Sequence, residues 1–179
     1  NNTTVIKAVS ILREKGLPVR LDIYGRGSSK KIKKINKTIN NYDKYDSIQY
    51  HGSIPQSELS LKYQNADLAI NASSCETFGQ TIIEGMAAGI PTVCSNKSAM
   101  PEILGDAGIY FDVNNLNEMV EVINNCIMSP ELREQKGNMS YLIAKDYNWL
   151  KCANQTFTFF NMIANNIFDY KKGDIYEAI

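Results

Sequence analysis

The chain has 179 residues, 44% of them hydrophobic, and its 19 lysines and arginines equal its 19 aspartates and glutamates. This size suits a domain with a substantial core, and the charge balance argues against nucleic acid as a partner, since proteins that bind phosphate backbones carry a basic excess. The sequence contains no apolar run long enough for a transmembrane helix and shows no signal peptide. Its four cysteines lack zinc-site spacing, which predicts reduced thiols in a cytoplasmic protein.

Helical and strand patterns alternate along the chain. An apolar helical pattern from Val5 to Leu12 ends at Gly16 and opens the series. This alternation predicts an α/β fold with a Rossmann-like parallel sheet and helices on both faces, whose ligands bind at the carboxyl ends of the strands. Strands are predicted at residues 18–24, 47–51, 67–72, 91–95 and 108–111, and further helices at residues 30–40, 56–65, 80–88, 116–128, 130–145 and 150–168.

Two acids flank the start of the helix predicted at residues 80–88. Glu76 lies in the loop after an apolar strand, and Glu84 lies about one turn into the helix. The free backbone N–H groups of a helix start favour anionic oxygen. Two carboxylates on either side of such a start can bind a nucleotide sugar, with hydroxyl groups at the acids and phosphates at the N–H groups.

The spacing of these acids, within S-x-x-E-x-F-G-x-x-x-x-E-x-M-A-x-G-x-P, resembles the retaining glycosyltransferases of the two-Rossmann-domain (GT-B) type, family 4, also called glycosyl transferases group 1. The resemblance covers roughly residues 2–162 and implies the C-terminal, donor-binding domain of such an enzyme. Residues 1–162 are therefore predicted to form a nucleotide-sugar-binding domain, and residues 163–179 a C-terminal extension of unassigned role. Further matching segments are Tyr24-Gly25-Arg26-Gly27, His51-Gly52-Ser53-Ile54, Pro101-Glu102-Ile103 and Asn148-Trp149.

The resemblance implies that Glu76 is the catalytic carboxylate and faces the transferred sugar, beside Thr77 and the backbone N–H groups of Phe78 and Gly79. The structural alternative for Glu76 is a helix cap or a solvated charge. The resemblance also implies that Glu84 binds the ribose diol, in keeping with an otherwise apolar helix in which a buried carboxylate needs hydrogen-bond donors. The alternative for Glu84 is an exposed helical glutamate.

Nucleotide contacts are also implied at the helix start and at two strand ends. Gly25-Arg26-Gly27 begins like the dinucleotide-binding fingerprint G-x-G-x-x-G, but residue 30 is a lysine where the fingerprint has its last glycine. The segment is therefore interpreted as a turn near the nucleotide. His51, the only histidine, lacks a partner at a recognisable spacing and is interpreted as structural. The implied nucleotide-binding residues are Gln80, Thr81, Gly25, Arg26, Ser53 and Ile54.

Two helices carry surface patterns of their own. The last predicted helix is unusually apolar, which suggests a surface that meets another domain. The lysines of the second predicted helix indicate a solvated face, or a weak attraction to an anionic bilayer of about 1 kcal/mol per residue; they are Lys30, Lys31, Lys33, Lys34 and Lys37.

The resemblance implies a UDP-sugar donor, with GDP as an alternative carrier, and neither metal nor cofactor, in keeping with the lack of a D-x-D triplet or a ligand cluster. It also implies that an acceptor-binding N-terminal domain and an arginine and lysine that clamp the diphosphate lie outside this chain, which alone would transfer little. By analogy we expect bacterial O-antigen or capsule synthesis on a lipid-linked acceptor, in the cytoplasm or at the inner face of its membrane. Three alternatives stay open: a sugar-nucleotide epimerase, a non-catalytic nucleotide-sugar-binding module and an interaction domain.

Overall fold

A computed structural model describes residues 1–165. The chain divides into two compact units, residues 1–144 and 145–179, and each is described by itself. The helices are α1 (Asn2–Glu14), α2 (Ser29–Tyr42), α3 (Gln56–Gln64), α4 (Gln80–Ala87), α5 (Met100–Leu104), α6 (Leu116–Met128), α7 (Pro130–Ala144) and α8 (Trp149–Ala164), and the strands are β1 (Leu21–Tyr24), β2 (Ile48–Gly52), β3 (Ala69–Asn71), β4 (Thr92–Ser95) and β5 (Ile109–Phe111).

All the strand pairs are parallel, as the alternating pattern predicts. Within residues 1–165 the hydrogen-bonded strands form two groups, β1–β2 and β3–β4–β5, and no ladder joins β1 to β3. Helical crossovers separate consecutive strands, as parallel pairing requires. The carboxyl ends of β3, β4 and β5 therefore lie at one edge of the larger sheet.

Helices cover both faces of the three-stranded sheet. Neighbouring residues of β4 point to opposite sides, so that Val93 joins one apolar cluster and Cys94 the other. The first cluster also contains buried residues of α1 and α6 and takes in Ile23 of β1 and Ile48 of β2. The second cluster is built from α4, α5 and α7. The Rossmann-like arrangement predicted from the sequence is confirmed.

The ends of several elements differ from the prediction. β1 begins at Leu21 rather than at residue 18, because Pro18 has no N–H to donate and the N–H of Val19 bonds the carbonyl of Leu17 in a tight turn. The helix α5 was missed, since five residues are too few to show a helical period. Its burial of Met100, Ile103 and Leu104 fits one helical face.

The second unit contains α8 within the described residues. No side chain of α8 is buried in this part of the chain, and Trp149 is 81% exposed. The predicted helix at residues 150–168 is confirmed as far as Ala164, and residues 166–168 lie outside the described residues. The predicted role of its apolar side chains in meeting another domain stays a prediction.

Candidate functional site at the start of α4

The loop between β3 and α4 ends on a glycine that no other residue can replace without strain. Gly79 is the N-cap of α4 and has a left-handed backbone, with φ of 70°. A Cβ on it would lie 2.8 Å from Cδ1 of Ile103 and 3.1 Å from Cδ1 of Ile82. Gly79 therefore sets both the direction of the loop and the tight packing of the start of α4 on α5.

The first turn of α4 is positioned by two neighbouring side chains. The hydroxyl of Tyr63, on α3, donates to the carbonyl of Thr81 at 3.1 Å. The amide of Asn71, at the end of β3, donates to Oγ1 of Thr81 at 3.2 Å. No side chain among the described residues caps the N-terminus of α4, and both Gln80 and Thr81 are exposed. The first turn of α4 is thus held in place while its first two residues are exposed to solvent, which suits an anionic ligand.

Glu76 is fixed through its backbone rather than through its carboxylate. Its N–H donates to Oγ of Ser98 at 3.2 Å, and the same hydroxyl donates to its carbonyl at 2.6 Å. The Cγ of Glu76 lies 3.5 Å from the place that a Cβ of Gly79 would occupy. The predicted sugar-side residues Glu76 and Gly79 are therefore adjacent, and the exposed Thr77 and Phe78 lie between them in the chain. Ser98 was missed by sequence reasoning, which has no signal for a serine in a loop beyond β4.

Glu84 lies one turn into α4 and has few partners. Its Oε1 accepts one long hydrogen bond, 3.5 Å from Nε2 of Gln80. Burial raises the pKa of Glu84, and the bond from Gln80 opposes this only in part. Burial, together with the charge of Glu84, raises the pKa of Tyr63 to about 12, so that its hydroxyl stays a donor. Glu84 is a partly desolvated carboxylate with room for more donors.

A cavity of about 260 Å³ lies between α3 and α4 and includes Glu84 in its wall. A larger cavity of about 500 Å³ lies between α1 and α6 and contains none of the predicted site residues. The smaller cavity has the stronger claim as part of the site, because Glu84 and Tyr63 line it. It is lined by Gln56, Leu59, Ser60, Tyr63, Gln64, Glu84, Ala87 and Ala88.

The ends of β1 and β2 bring together two further predicted residues. Nε of Arg26 donates to Oγ of Ser53 at 3.3 Å, so both belong to one exposed patch. The N–H of Gly25 bonds the carbonyl of Gly52 at 2.7 Å, which makes Gly25 part of the strand-end turn, as predicted. Ile54 follows Ser53 and is half-buried. The role of these residues in binding a nucleotide stays a prediction.

His51 has a partner that the sequence spacing did not reveal. Its Nε2 lies 2.6 Å from Oδ1 of Asp22, on the neighbouring strand, and its ring stacks on Tyr24 at 4.7 Å between centroids. The parallel register of β1 and β2 creates this contact between residues far apart in sequence. The structure thus corrects the ground for interpreting His51 as structural, because His51 does have an acidic partner, and its structural role stays a prediction.

The lysine face predicted from the sequence lies on α2. The five lysines of α2 are all exposed, in keeping with a solvated face, and the predicted attraction to a bilayer is not tested. Within the part of the chain that the structure describes, no three His, Cys, Asp or Glu side chains come close enough to bind a metal ion. None of the helices in that part is both long and apolar enough to span a bilayer.

Comparison with known proteins decides the family. Residues 1–142 match the family model described as glycosyl transferases group 1. The chain belongs to this family. It is 32% identical over 116 residues to the O-antigen chain mannosyltransferase B of Escherichia coli, a match that covers 65% of this chain and 30% of that protein. The family predicted from the motif is therefore confirmed.

Solved structures share the fold at lower identity. Sucrose-phosphate synthase from Thermosynechococcus elongatus superposes with a TM-score of 0.81 at 19% identity, over 92% of this chain and 42% of that one. The Anabaena HepE protein in complex with UDP-glucose gives a TM-score of 0.73 at 19% identity, over 87% of this chain and 43% of that one. The chain spans less than half the length of each of these proteins, and at such identities the likeness confirms the fold alone.

Proposed function

We propose that this chain is the donor-binding domain of a retaining glycosyltransferase, which moves a sugar from a UDP-sugar to a glycan or lipid-linked acceptor in bacterial surface polysaccharide synthesis. The observation that supports this most is the arrangement of Glu76 and Glu84 on either side of the uncapped start of α4. Membership of the glycosyl transferases group 1 family supports sugar transfer as the reaction.

In the proposed complex the two acids bind on either side of the diphosphate, one at the ribose and one at the transferred sugar. The ribose diol donates two hydrogen bonds to Glu84, which has a single long one in the free protein. The diphosphate lies at the N–H groups of Gln80 and Thr81, where the helix dipole favours negative charge. Glu76 and the loop to Gly79 face the sugar. The acceptor hydroxyl then attacks the anomeric carbon on the face from which the diphosphate leaves, so that the configuration is retained.

The choice of UDP is supported by the shared fold with a protein solved in complex with UDP-glucose. The proposed role in surface polysaccharide synthesis is supported by the similarity to an O-antigen chain mannosyltransferase. In the proposed reaction the N–H groups at the start of α4 stabilise the leaving diphosphate, together with cations that lie outside these residues. No metal ion takes part. The acceptor is bound by a domain that also lies outside these residues. The whole enzyme would act at the inner face of the cytoplasmic membrane, where a lipid-linked acceptor is reached.

A thermal-shift screen of the chain tests the donor assignment. The probes are UDP, GDP, UDP-glucose and GDP-mannose, each at millimolar concentration. A ligand present at about ten times its Kd stabilises the folded state by about 1.4 kcal/mol, so the melting temperature should rise with the UDP ligands and less with the GDP ligands. A melting temperature that no nucleotide changes would contradict the proposed function.

Two acid-to-amide variants distinguish transfer from binding alone. In the longer protein that contains the acceptor domain, Glu76→Gln should abolish most sugar transfer, and Glu84→Gln should chiefly raise the KM for the donor. In the present chain, Glu76→Gln should reduce the sugar increment, which we define as the affinity for UDP-glucose divided by that for UDP. Full transfer activity in both variants would contradict the assigned roles.

A further inference from the structure

We propose that Ser98 is a positioning residue that sets the direction of Glu76 toward the sugar of the donor. The hydroxyl of Ser98 accepts from the N–H of Glu76 at 3.2 Å and donates to its carbonyl at 2.6 Å. One side chain therefore fixes both backbone groups of the proposed catalytic residue. This inference rests on the proposed function, because it assigns a role within the same site.

The backbone of Ser98 is strained in a way that needs a reason. Its φ is 59°, a left-handed conformation that costs a non-glycine residue of the order of 1 kcal/mol. Among the described residues the other non-glycine with positive φ is Asp46, a residue type that enters this region readily. Serine lacks that preference. The two hydrogen bonds to Glu76 give the hydroxyl a function that a glycine at position 98 would not supply.

The loop that carries Ser98 is itself anchored to the end of β5. The N–H of Asn96 bonds the carbonyl of Phe111 at 3.0 Å, and the N–H of Lys97 bonds Oγ of Ser95 at 3.2 Å. Nζ of Lys97 lies 3.6 Å from Oδ2 of Asp112, which follows β5. The position of Ser98 is thus set by the three-stranded sheet. Through Ser98 the same sheet fixes the position of Glu76, although Glu76 lies in a loop.

The contacts of Ser98 predict that its hydroxyl affects binding of the donor's sugar and not binding of the nucleotide. Its hydroxyl bonds the backbone of Glu76 alone, whereas α4 and Glu84 are held by Tyr63 and Asn71. Loss of the hydroxyl should leave the affinity for UDP unchanged and reduce the sugar increment. A residue that only stabilised the fold would lower the free energy of unfolding when changed and leave the ratio of the two affinities unchanged.

The test compares three variants of this chain. Ser98→Ala removes the hydroxyl and keeps the strained backbone, and Ser98→Gly removes both the hydroxyl and the strain. Thr38→Ala is the control, because its hydroxyl donates to the carbonyl of Lys34 at 2.8 Å within α2, a bond that no proposed site residue shares. Each variant is titrated with UDP and with UDP-glucose, and the hydrogen exchange of the Glu76 amide is followed by NMR.

We expect the sugar increment to fall about fivefold in both Ser98 variants, the equivalent of one hydrogen bond, with the affinity for UDP unchanged. The Glu76 amide should exchange faster in both, and neither quantity should change in Thr38→Ala. A Glu76 amide that exchanges equally fast in Ser98→Ala and in the parent chain overturns the role of Ser98, whatever ligand binds. Failure of the parent chain to bind UDP or UDP-glucose overturns the proposed function instead, and the exchange result still reports on the contact.

Discussion

The carboxylates of Asp43 and Glu84 both lie beside a helix, but their surroundings are opposite. Asp43 ends α2 and accepts four hydrogen bonds: from the N–H groups of Ile48 and Ser47, both at 2.8 Å, from Oγ of Ser47 at 2.9 Å and from the N–H of Tyr45 at 3.3 Å. Glu84 accepts one, at 3.5 Å. The first carboxylate is satisfied within the chain, and the second is not.

The pKa directions of the two groups follow from this difference. Burial tends to raise the pKa of both carboxyl groups. In Asp43 the hydrogen bonds from Ile48, Ser47 and Tyr45 outweigh burial and lower the pKa, whereas in Glu84 burial prevails and the pKa is raised. A satisfied acid stabilises the fold. A partly buried acid with few donors costs stability and is available to a ligand that brings donors of its own.

The largest effect is expected from removal of the satisfied acid. Asp43→Ala leaves the N–H groups of Ser47 and Ile48 without their acceptor, and we expect unfolding by urea to show a loss of about 2 kcal/mol. Asp146→Ala is the matched control, since its carboxylate makes one ion pair at 3.9 Å, and it should lose almost nothing. Equal stability of the two variants would remove the basis of the comparison.

Gly79→Ala should have an effect of similar size. The alanine would have to adopt φ of 70°, and its Cβ would lie 2.8 Å from Cδ1 of Ile103. We therefore expect the free energy of unfolding to fall by about 2 kcal/mol and donor binding to weaken. Gly16→Ala is the control, because its φ is 91° and no atom lies within 4 Å of the added Cβ. It should lose about 1 kcal/mol from backbone strain alone. If Gly16→Ala proves the more damaging change, packing at the helix start is not as tight as described.

Glu84→Gln should lower the affinity for UDP about tenfold, because a neutral amide replaces a charged acceptor for the ribose diol. The folded state without ligand should not lose stability, since the change removes a partly buried charge. Titration calorimetry measures the first effect and urea unfolding measures the second. Unchanged affinity for UDP would exclude Glu84 as the ribose acceptor.

The smallest effect is a dependence of stability on pH. The pKa of Glu84 is higher in the folded state than its ordinary value of 4.5, so the unfolded chain releases the proton first. Relative to Glu84→Gln, the parent chain should therefore lose stability as pH rises from 4.5 through the folded pKa of Glu84. The contribution of Asp43 to stability changes with pH in the opposite direction. It is present above pH 3.8, the ordinary pKa of the group, and is lost as pH falls through the lowered pKa of the folded state. Melting temperatures of the parent chain, Glu84→Gln and Asp43→Ala across this pH range would show whether the two acids change stability in opposite directions.

The sequence predicted most of the helices and strands, because hydrophobic periodicity carries them. The roles of Glu76 and Glu84 stay predictions. Sequence reasoning failed where contacts join residues far apart in the chain. The bonds of Ser98 to Glu76 and of His51 to Asp22 depend on which strand ends lie together, and no local pattern encodes that. The division of the described strands into two hydrogen-bonded groups, β1–β2 and β3–β4–β5, was missed for the same reason. Local patterns in the sequence therefore pointed to single candidate residues but not to the partners that hold them.

A crystal structure of this chain with UDP-glucose would show whether Glu76 and Glu84 bind the donor as proposed. We expect ribose hydroxyls within hydrogen-bond distance of the Glu84 carboxylate, the diphosphate at the N–H groups of Gln80 and Thr81, and the glucose beside Glu76. A nucleotide bound elsewhere, or bound at α4 with both carboxylates turned away from it, would contradict the account.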